Sequence, residues 1–319
     1  MEVILGKSAG FCYGVRMAVE GAKEELEKIR KKEKDEEKSQ KEKEKNTPLY
    51  CLGEIVHNKQ VINDLRKKGL IFIDNIEESN GKTIIRAHGI KKEIYEIAKK
   101  RNIDLKDLTC PNVLKIHKIA EEYAKKGYYI FLVGSKNHPE NIGTLSFCGN
   151  NVSVIEDEND VLSVIKELKN SGIKKLLVII QTTYSVERFK IIENKIKEQL
   201  EKYKKQDGEE IELIIKNTIC NATEFRQKET EEIAKKVDYM IIIGGKNSSN
   251  TKKLYEVGKK YCENCVCVET ADELDLDEIE EHKKVGVMAG ASTPKEIIDE
   301  VISCFLGRGK KTVYLINCC

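Results

Sequence analysis

Cys12, Cys110 and Cys220 are soft ligands that stand alone, one in each third of a 319-residue chain. Each follows a short strand-like or turn segment: ILGKSAGFC, DLKDLTC and LIIKNTIC. Each opens a helix-like segment: CYGVRMAVEGAKEEL, CPNVLKIHKIAEEYA and CNATEFRQKETEEIA. The thiolate is the ligand form of cysteine, and a helix N-terminus favours it. Three thiolates meeting at one point would hold zinc or an iron–sulfur cluster. Structural zinc normally uses close pairs such as CxxC, so ligands this far apart in sequence are atypical of it. Three cysteines on a four-iron cluster leave one iron without a protein ligand. That iron can bind a substrate oxygen as a Lewis acid and pass electrons to it.

A second set of residues suits an anion. His57, His88, His138, Thr182, Ser248, Ser249, Asn250 and Ser292 all stand at or just before expected helix starts. Backbone N–H groups point outward there and the helix dipole favours negative charge. Any one Ser, Thr or Asn in such a place is ordinarily a helix cap. Their recurrence in six loops, with three of the chain's five histidines, points to a phosphate cradle. His138-Pro139-Glu140 adds a carboxyl that could relay protons beside His138 and Thr182. His117 and His282 lie in helix-like or polar segments and read as structural.

The chain aligns on itself. FLVGSKNHPENIGTL (131–145) overlays IIIGGKNSSNTKKLY (241–255), so His138 matches Ser248. Cys110 precedes His138 by 28 residues and Cys220 precedes Ser248 by 28. Thr182 follows His138 by 44 and Ser292 follows Ser248 by 44. In the first third, CLGEIVHNKQVINDL carries His57 and RAHGI carries His88. Cys12 to His57 is 45, an excess of 17 over the other steps, and it coincides with KKEKDEEKSQKEKEKN (31–46). That segment has no apolar residue and reads as a solvated insertion, a helix extension or a loop. Each unit thus supplies a cysteine loop, a second loop (GEIVHN, GSKNHPE, GGKNSSN) and a third (RAHGI, QTTYS, AGASTP).

The positioning elements are short β-branched runs such as TIIRA, YYIFLVG, KKLLVIIQ, DYMIIIGG and KVGVMAG, alternating with amphipathic helical stretches. Continuous apolar runs suit parallel strands covered on both faces, and the alternation means βαβ units. Ligands in such sheets bind at strand C-termini. We therefore expect an α/β protein with three pseudo-threefold related domains and parallel sheets around a central cavity. The expected boundaries are 13–109, 110–217, and 218–319 together with 1–12.

Composition narrows the classes. Hydrophobic residues are 40% and charged residues 34%, with a net charge of +2, which reads as a soluble globular chain. No global field favours nucleic acid or an anionic membrane, and the absence of Trp weakens base stacking. No apolar run is long enough to span a bilayer, and MEVILGKSAG lacks a secretion signal. Eleven cysteines then suggest a reducing, cytoplasmic setting and metal or redox chemistry. CENCVC (Cys262, Cys265, Cys267) looks metal-like, but it lies at a helix-to-strand crossover without a second CxxC. Cys318 and Cys319 are terminal. Cys51, Cys148 and Cys304 fall in an expected strand, loop and helix without a partner pattern.

The chain resembles the IspH/LytB family of 4-hydroxy-3-methylbut-2-enyl diphosphate reductases, which act in the non-mevalonate isoprenoid pathway. The resemblance covers essentially the whole chain and rests on GFCYGVRMA, GEIVHN, RAHG, TCP, NHPE, QTT, ICNAT, NSSN and GAS, in the family's order. It implies a trefoil around a [4Fe–4S] cluster held by Cys12, Cys110 and Cys220. It implies that His57, His88, His138, Ser248, Ser249, Asn250 and Ser292 hold the substrate's diphosphate. The substrate hydroxyl would bind the open iron near Thr182 and Glu140. Two electrons and two protons would remove it as water, giving isopentenyl and dimethylallyl diphosphate. Glu140 would deliver protons, assisted by Thr182 and His138. Ferredoxin or flavodoxin would be the electron donor. The 31–46 insertion departs from the family pattern. Two other readings of the cysteines stay open: a zinc-dependent hydrolase or lyase, and a non-enzymatic iron–sulfur sensor. A sensor would have no use for the diphosphate cradle.

Overall fold

The computed structural model describes residues 1–39, 48–306 and 312–315. The described residues form two compact units. One contains Met1–Arg16, Val56–Asn63 and the described part of 220–319; the other contains the described part of 17–55 together with Asp64–Ile219. The charged insertion is helical through Ser39, and the rest of it lies outside the described residues, as do Cys318 and Cys319.

Three parallel sheets carry the architecture. In the second unit the first sheet holds β2 (Leu49–Leu52), β3 (Leu70–Ile73), β4 (Thr83–Ile85) and β5 (Leu105–Asp107), in the order β3-β2-β4-β5. The second sheet holds β6 (Tyr129–Val133), β7 (Val152–Ile155), β8 (Lys175–Ile180) and β9 (Glu212–Lys216), in the order β7-β6-β8-β9. The first unit has β1 (Glu2–Leu5), β10 (Tyr239–Ile243), β11 (Cys265–Val268), β12 (Lys284–Ala289) and β13 (Thr312–Leu315), in the order β11-β10-β12-β1-β13. The three orders are the same for four strands. The N-terminal strand β1 fills the fourth place beside β12, paired Val3 to Val285.

Strand chemistry explains the layers. Successive strand residues face opposite sides. Tyr129, Phe131 and Val133 pack with Val164 and Leu168 of α6 (Val161–Ser171) and Phe189 and Ile192 of α7 (Val186–Asp207). Ile130 and Leu132 pack on the other face with Ile116 and Ala120 of α4 (Pro111–Lys125). In the first unit, Ile241 and Ile243 face Ile298 and Val301 of α11 (Lys295–Leu306). Met240 and Ile242 face Ile233 of α8 (Asn221–Ala234) and Leu254 of α9 (Ser249–Tyr261). The remaining helices are α1 (Tyr13–Ser39), α2 (Lys59–Lys67), α3 (Lys92–Lys100), α5 (Pro139–Leu145) and α10 (Leu276–Glu280). Among the described residues no helix is long and apolar enough to cross a membrane.

All nine expected loops join the C-terminal end of a strand to a helix. The cysteine loops follow β1, β5 and β9, the strands in fourth place of each order. The second loops follow β2, β6 and β10, and each starts with the same bond. Gly53 N donates to Ile73 O (2.8 Å), Gly134 N to Ile155 O (2.8 Å) and Gly244 N to Val268 O (2.9 Å). The repeat legible in sequence is therefore a repeat of hydrogen bonds.

Candidate active site

In the second unit, α5 is built to bury a carboxyl. His138 is its N-cap with extended backbone, and Pro139 occupies the first turn, where its missing N–H costs nothing. His138 Nδ1 accepts from Glu140 N at 3.3 Å, which leaves Nε2–H as the donor side of the ring. Glu140 is buried. Thr182, just beyond β8, holds it from both oxygens: Thr182 N donates to Oε1 (2.7 Å) and Thr182 Oγ1 to Oε2 (2.6 Å). Burial pushes the Glu140 carboxyl up to about 7, against the pull of the two Thr182 bonds. It is therefore part acid and part base at neutral pH, the condition a proton donor needs.

Neighbouring loops fix this pair. Gln181 Oε1 accepts from Ser135 N (3.1 Å) and Asn141 Nδ2 (2.9 Å), while Asn141 Nδ2 also donates to Ser135 O (2.8 Å). Gln181 N donates to Val133 O (2.8 Å). Gly134 is required beside this brace, because a Cβ there would lie 2.4 Å from Asn141 Nδ2 and 2.7 Å from Gln181 Cβ. Asn141 and Gln181 were not singled out from sequence. Gln181 lies within QTT and Asn141 directly follows NHPE, and their place in those motifs was the available signal. The His88 and His138 rings meet edge to face, centroids 5.5 Å apart. Lys92 N, at the start of α3, donates to Ser146 Oγ at the end of α5 (2.8 Å). Cys110 caps α4 and its N donates to Ala87 O (3.0 Å), which ties the cysteine loop to the His88 loop. His117 is structural, as expected: it is buried, stacks on Phe147 at 4.3 Å, and burial lowers its pKa to about 4.

The first unit gathers the remaining anion-binding candidates. Ser248 caps α9 and accepts from Thr251 N (3.3 Å). Ser249 and Asn250 form the first turn, where backbone N–H groups lack intrahelical partners. Ser248, Asn250 and Ser292 are all buried. Asn250 Nδ2 is buried and has no hydrogen-bond partner among the described residues, an unmet donor that suits an anionic oxygen. Ser292 Oγ donates to His57 O (3.1 Å). A Cβ on Gly245 would lie 2.7 Å from that same carbonyl, so the close approach of the His57 loop explains the glycine. The first unit therefore brings together His57, Ser248, Ser249, Asn250 and Ser292, and the second brings together His88, His138, Glu140 and Thr182.

The cysteines sort into two kinds. Cys12, Cys110 and Cys220 are half-buried at helix starts. Cys220 Sγ accepts from Thr223 N (3.4 Å) and lies 3.1 Å from Thr223 Oγ1. N–H donation to sulfur favours thiolate, so this donor set fits an iron–sulfur cluster or another thiophilic metal. Burial favours the thiol form in five of the others: Cys51, Cys148 and Cys265 are each pushed up to about 12, and Cys262 and Cys267 are raised too. Cys262 and Cys265 belong to the apolar core beside Met240.

Fold and sites together define a parallel α/β protein whose strand ends carry thiols, histidines, capped anion-binding helices and one buried carboxyl. The family described as LytB protein matches residues 3–305, and the chain belongs to that family. A 4-hydroxy-3-methylbut-2-enyl diphosphate reductase from Caldanaerobacter subterraneus is 41% identical over 307 residues, covering 95% of this chain and 96% of the relative. The solved E-1-hydroxy-2-methyl-but-2-enyl-4-diphosphate reductase from Plasmodium falciparum superposes with a TM-score of 0.82 at 31% identity, over 99% of this chain and 92% of that one. A second solved structure, of an (E)-4-hydroxy-3-methyl-but-2-enyl diphosphate reductase described as the terminal enzyme of the non-mevalonate pathway, has a TM-score of 0.65 at 36% identity. It covers 96% of this chain and 99% of that one.

Proposed function

We propose that this chain is an oxidoreductase that removes the hydroxyl of 4-hydroxy-3-methylbut-2-enyl diphosphate, yielding isopentenyl and dimethylallyl diphosphate. The observation that carries this reading is the buried Glu140–Thr182 pair, a proton donor poised near neutrality at a strand C-terminus. The conversion breaks one C–O bond and forms one C–H bond. It consumes two electrons and two protons and releases water.

Cys12, Cys110 and Cys220 would hold a [4Fe–4S] cluster. When bound, such a cluster supplies electrons and a Lewis-acidic iron that three cysteines leave open. The electrons would come from ferredoxin or flavodoxin. The three parallel sheets support the partition into domains 13–109, 110–217, and 218–319 with 1–12, and the fourth strand of each sheet, β5, β9 and β1, leads into one cysteine loop. A cytoplasmic, reducing setting suits nine described cysteines of which none is in a disulfide.

The chain's own residues divide the remaining work. The diphosphate is held by the α9 N-terminus with Ser248, Ser249 and Asn250, by Ser292, and by His57, His88 and His138 as donors. Thr182 N–H occupies Glu140 Oε1, so the carboxyl proton resides on Oε2, facing Thr182 Oγ1. Glu140 Oε2–H can then donate to Thr182 Oγ1 while the Thr182 hydroxyl hydrogen turns outward to the leaving oxygen. His138 Nε2–H assists at the diphosphate and steadies the first turn of α5 through Nδ1.

Anaerobic purification tests the reading. A brown protein with about four iron and four sulfide per chain, forming both products from substrate and reductant, is the expected result. Colourless protein carrying zinc would overturn it in favour of a hydrolase or lyase. A cluster-bearing protein without diphosphate binding would favour a sensor. Cys265→Ser should leave iron content unchanged, because that thiol sits in the core and not at a helix start. A drop in bound iron would make CENCVC a ligand site.

A further inference from the structure

The helix that starts at Cys220 has an unusual buried face. Thr223, Arg226, Gln227, Glu229, Thr230, Ile233 and Ala234 are its buried residues. Arg226 is 4% exposed and Glu229 is 1% exposed. A helix normally buries an apolar stripe, and a buried charge is costly unless it is paired and hydrogen-bonded. Two charges one turn apart on the hidden face of α8 therefore require a reason.

Both reach the segment that leads to Cys12. Glu229 accepts from Lys7 N (2.8 Å), from Ser8 N (3.0 Å) and from Ser8 Oγ. Arg226 Nη2 donates to Gly10 O at 2.8 Å, and its Nη1 donates to Ala222 O at 3.2 Å. The anion takes the donors at the start of the GKSAG segment, and the cation takes a carbonyl at its end. Gly10 turns the chain with φ +97, a conformation open to glycine. Two residues later Cys12 N donates to Ala291 O (3.2 Å). The guanidinium thus joins a carbonyl two residues before Cys12 to one two residues after Cys220.

We propose that Arg226 is a positioning residue for the thiolate site: it clasps the Cys12 loop to the helix headed by Cys220, and its buried charge offsets the negative charge gathered there. The proposal rests on the iron–sulfur reading above. Its geometry has an electrostatic counterpart. Burial lowers the pKa of Arg226, and Cys12, Cys220 and Glu229 act in the opposite direction. Arg226 Nε is buried with no hydrogen-bond partner among the described residues, so that side of the guanidinium faces a low-dielectric interior rather than water. A positive charge next to a redox group favours the form with the extra electron, and low dielectric strengthens the effect.

The two roles separate in two variants, measured on the anaerobically reconstituted full-length protein. Arg226→Gln removes the charge. The equilibrium constant for one-electron reduction should fall about tenfold, a midpoint potential lower by about 59 mV. Arg226→Lys keeps the charge but not the fork that spans two carbonyls. Its potential should stay near wild type while a chelator strips its iron faster. A wild-type potential in Arg226→Gln overturns the proposal even if stability falls, since that is what a purely structural arginine would give. Should Arg226→Gln not fold, Arg226→Lys carries the test, and a wild-type rate of iron loss overturns the clasp. A wild-type protein that takes up no cluster defeats the functional reading and this proposal with it. An unaltered Arg226→Gln beside a cluster-bearing wild type defeats this proposal alone.

Discussion

Glu140→Gln lowers turnover by about 10²- to 10⁴-fold, the usual contribution of a positioned general acid, while bound iron and substrate affinity stay near wild type. The amide keeps the shape of the carboxyl, and Thr182 N–H can still donate to its oxygen. It has no acidic proton to give, so its NH₂ can hydrogen-bond to the Thr182 hydroxyl but cannot pass a proton through it. Single-turnover product formation together with an iron assay reads both arms. Near-normal reduction by the variant would remove Glu140 from the mechanism. The pH dependence has a definite sign. The folded carboxyl is raised from 4.5 to about 7 by burial, outweighing the lowering from Thr182. The folded state therefore holds the proton more tightly than the unfolded chain does. Glu140 contributes its full stability below about pH 4.5, and that contribution is lost as pH rises to about 7, a change on the order of 3 kcal/mol. Wild-type turnover should fall through the same upper pH as the donor ionises. Glu140→Gln should flatten the stability change between pH 5 and pH 8, and melting curves at the two values check it.

The parts of this design that were legible in sequence are those fixed by local chemistry. A cysteine between a strand and a helix, a capping Ser or His after a glycine, and a fully apolar strand all announce themselves within about ten residues. For that reason all nine loops were placed correctly, and Cys110, His138, Cys220 and Ser248 prove to be N-caps. What stayed hidden depends on distant partners. Arg226 and Glu229 look like the solvated charges of NATEFRQKETEEIA, and only the fold reveals that residues 7–10 lie against them. The edge strands β3 and β7 were not singled out from sequence, and each pairs with a neighbour on one side only. β13 pairs with β1 across almost the whole chain length, so no local pattern could assign it a place.

Cys220→Ser is the sharpest test of the three-thiolate reading, because the substitution spares the fold. Serine is among the best N-cap residues, and its Oγ can take over the bond from Thr223 N that the sulfur now accepts. The helix start and the melting temperature should therefore hold. Iron is another matter, because a serine hydroxyl is a hard, neutral donor and a soft thiolate is what an iron–sulfur site selects. The variant should fold, stay nearly colourless, lose most of its iron, and show no turnover. Cys110→Ser should behave alike, since Cys110 stands at the N-cap position without a side-chain capping bond to lose, and the residue after it is a proline that already fits the first turn. A folded Cys220→Ser protein that keeps about four iron would show that the cluster is held elsewhere. Equal loss in Cys12→Ser, Cys110→Ser and Cys220→Ser, against full retention in Cys265→Ser, would establish that three ligands from three sheets act as one site. The iron left without a protein ligand would then follow from the count alone.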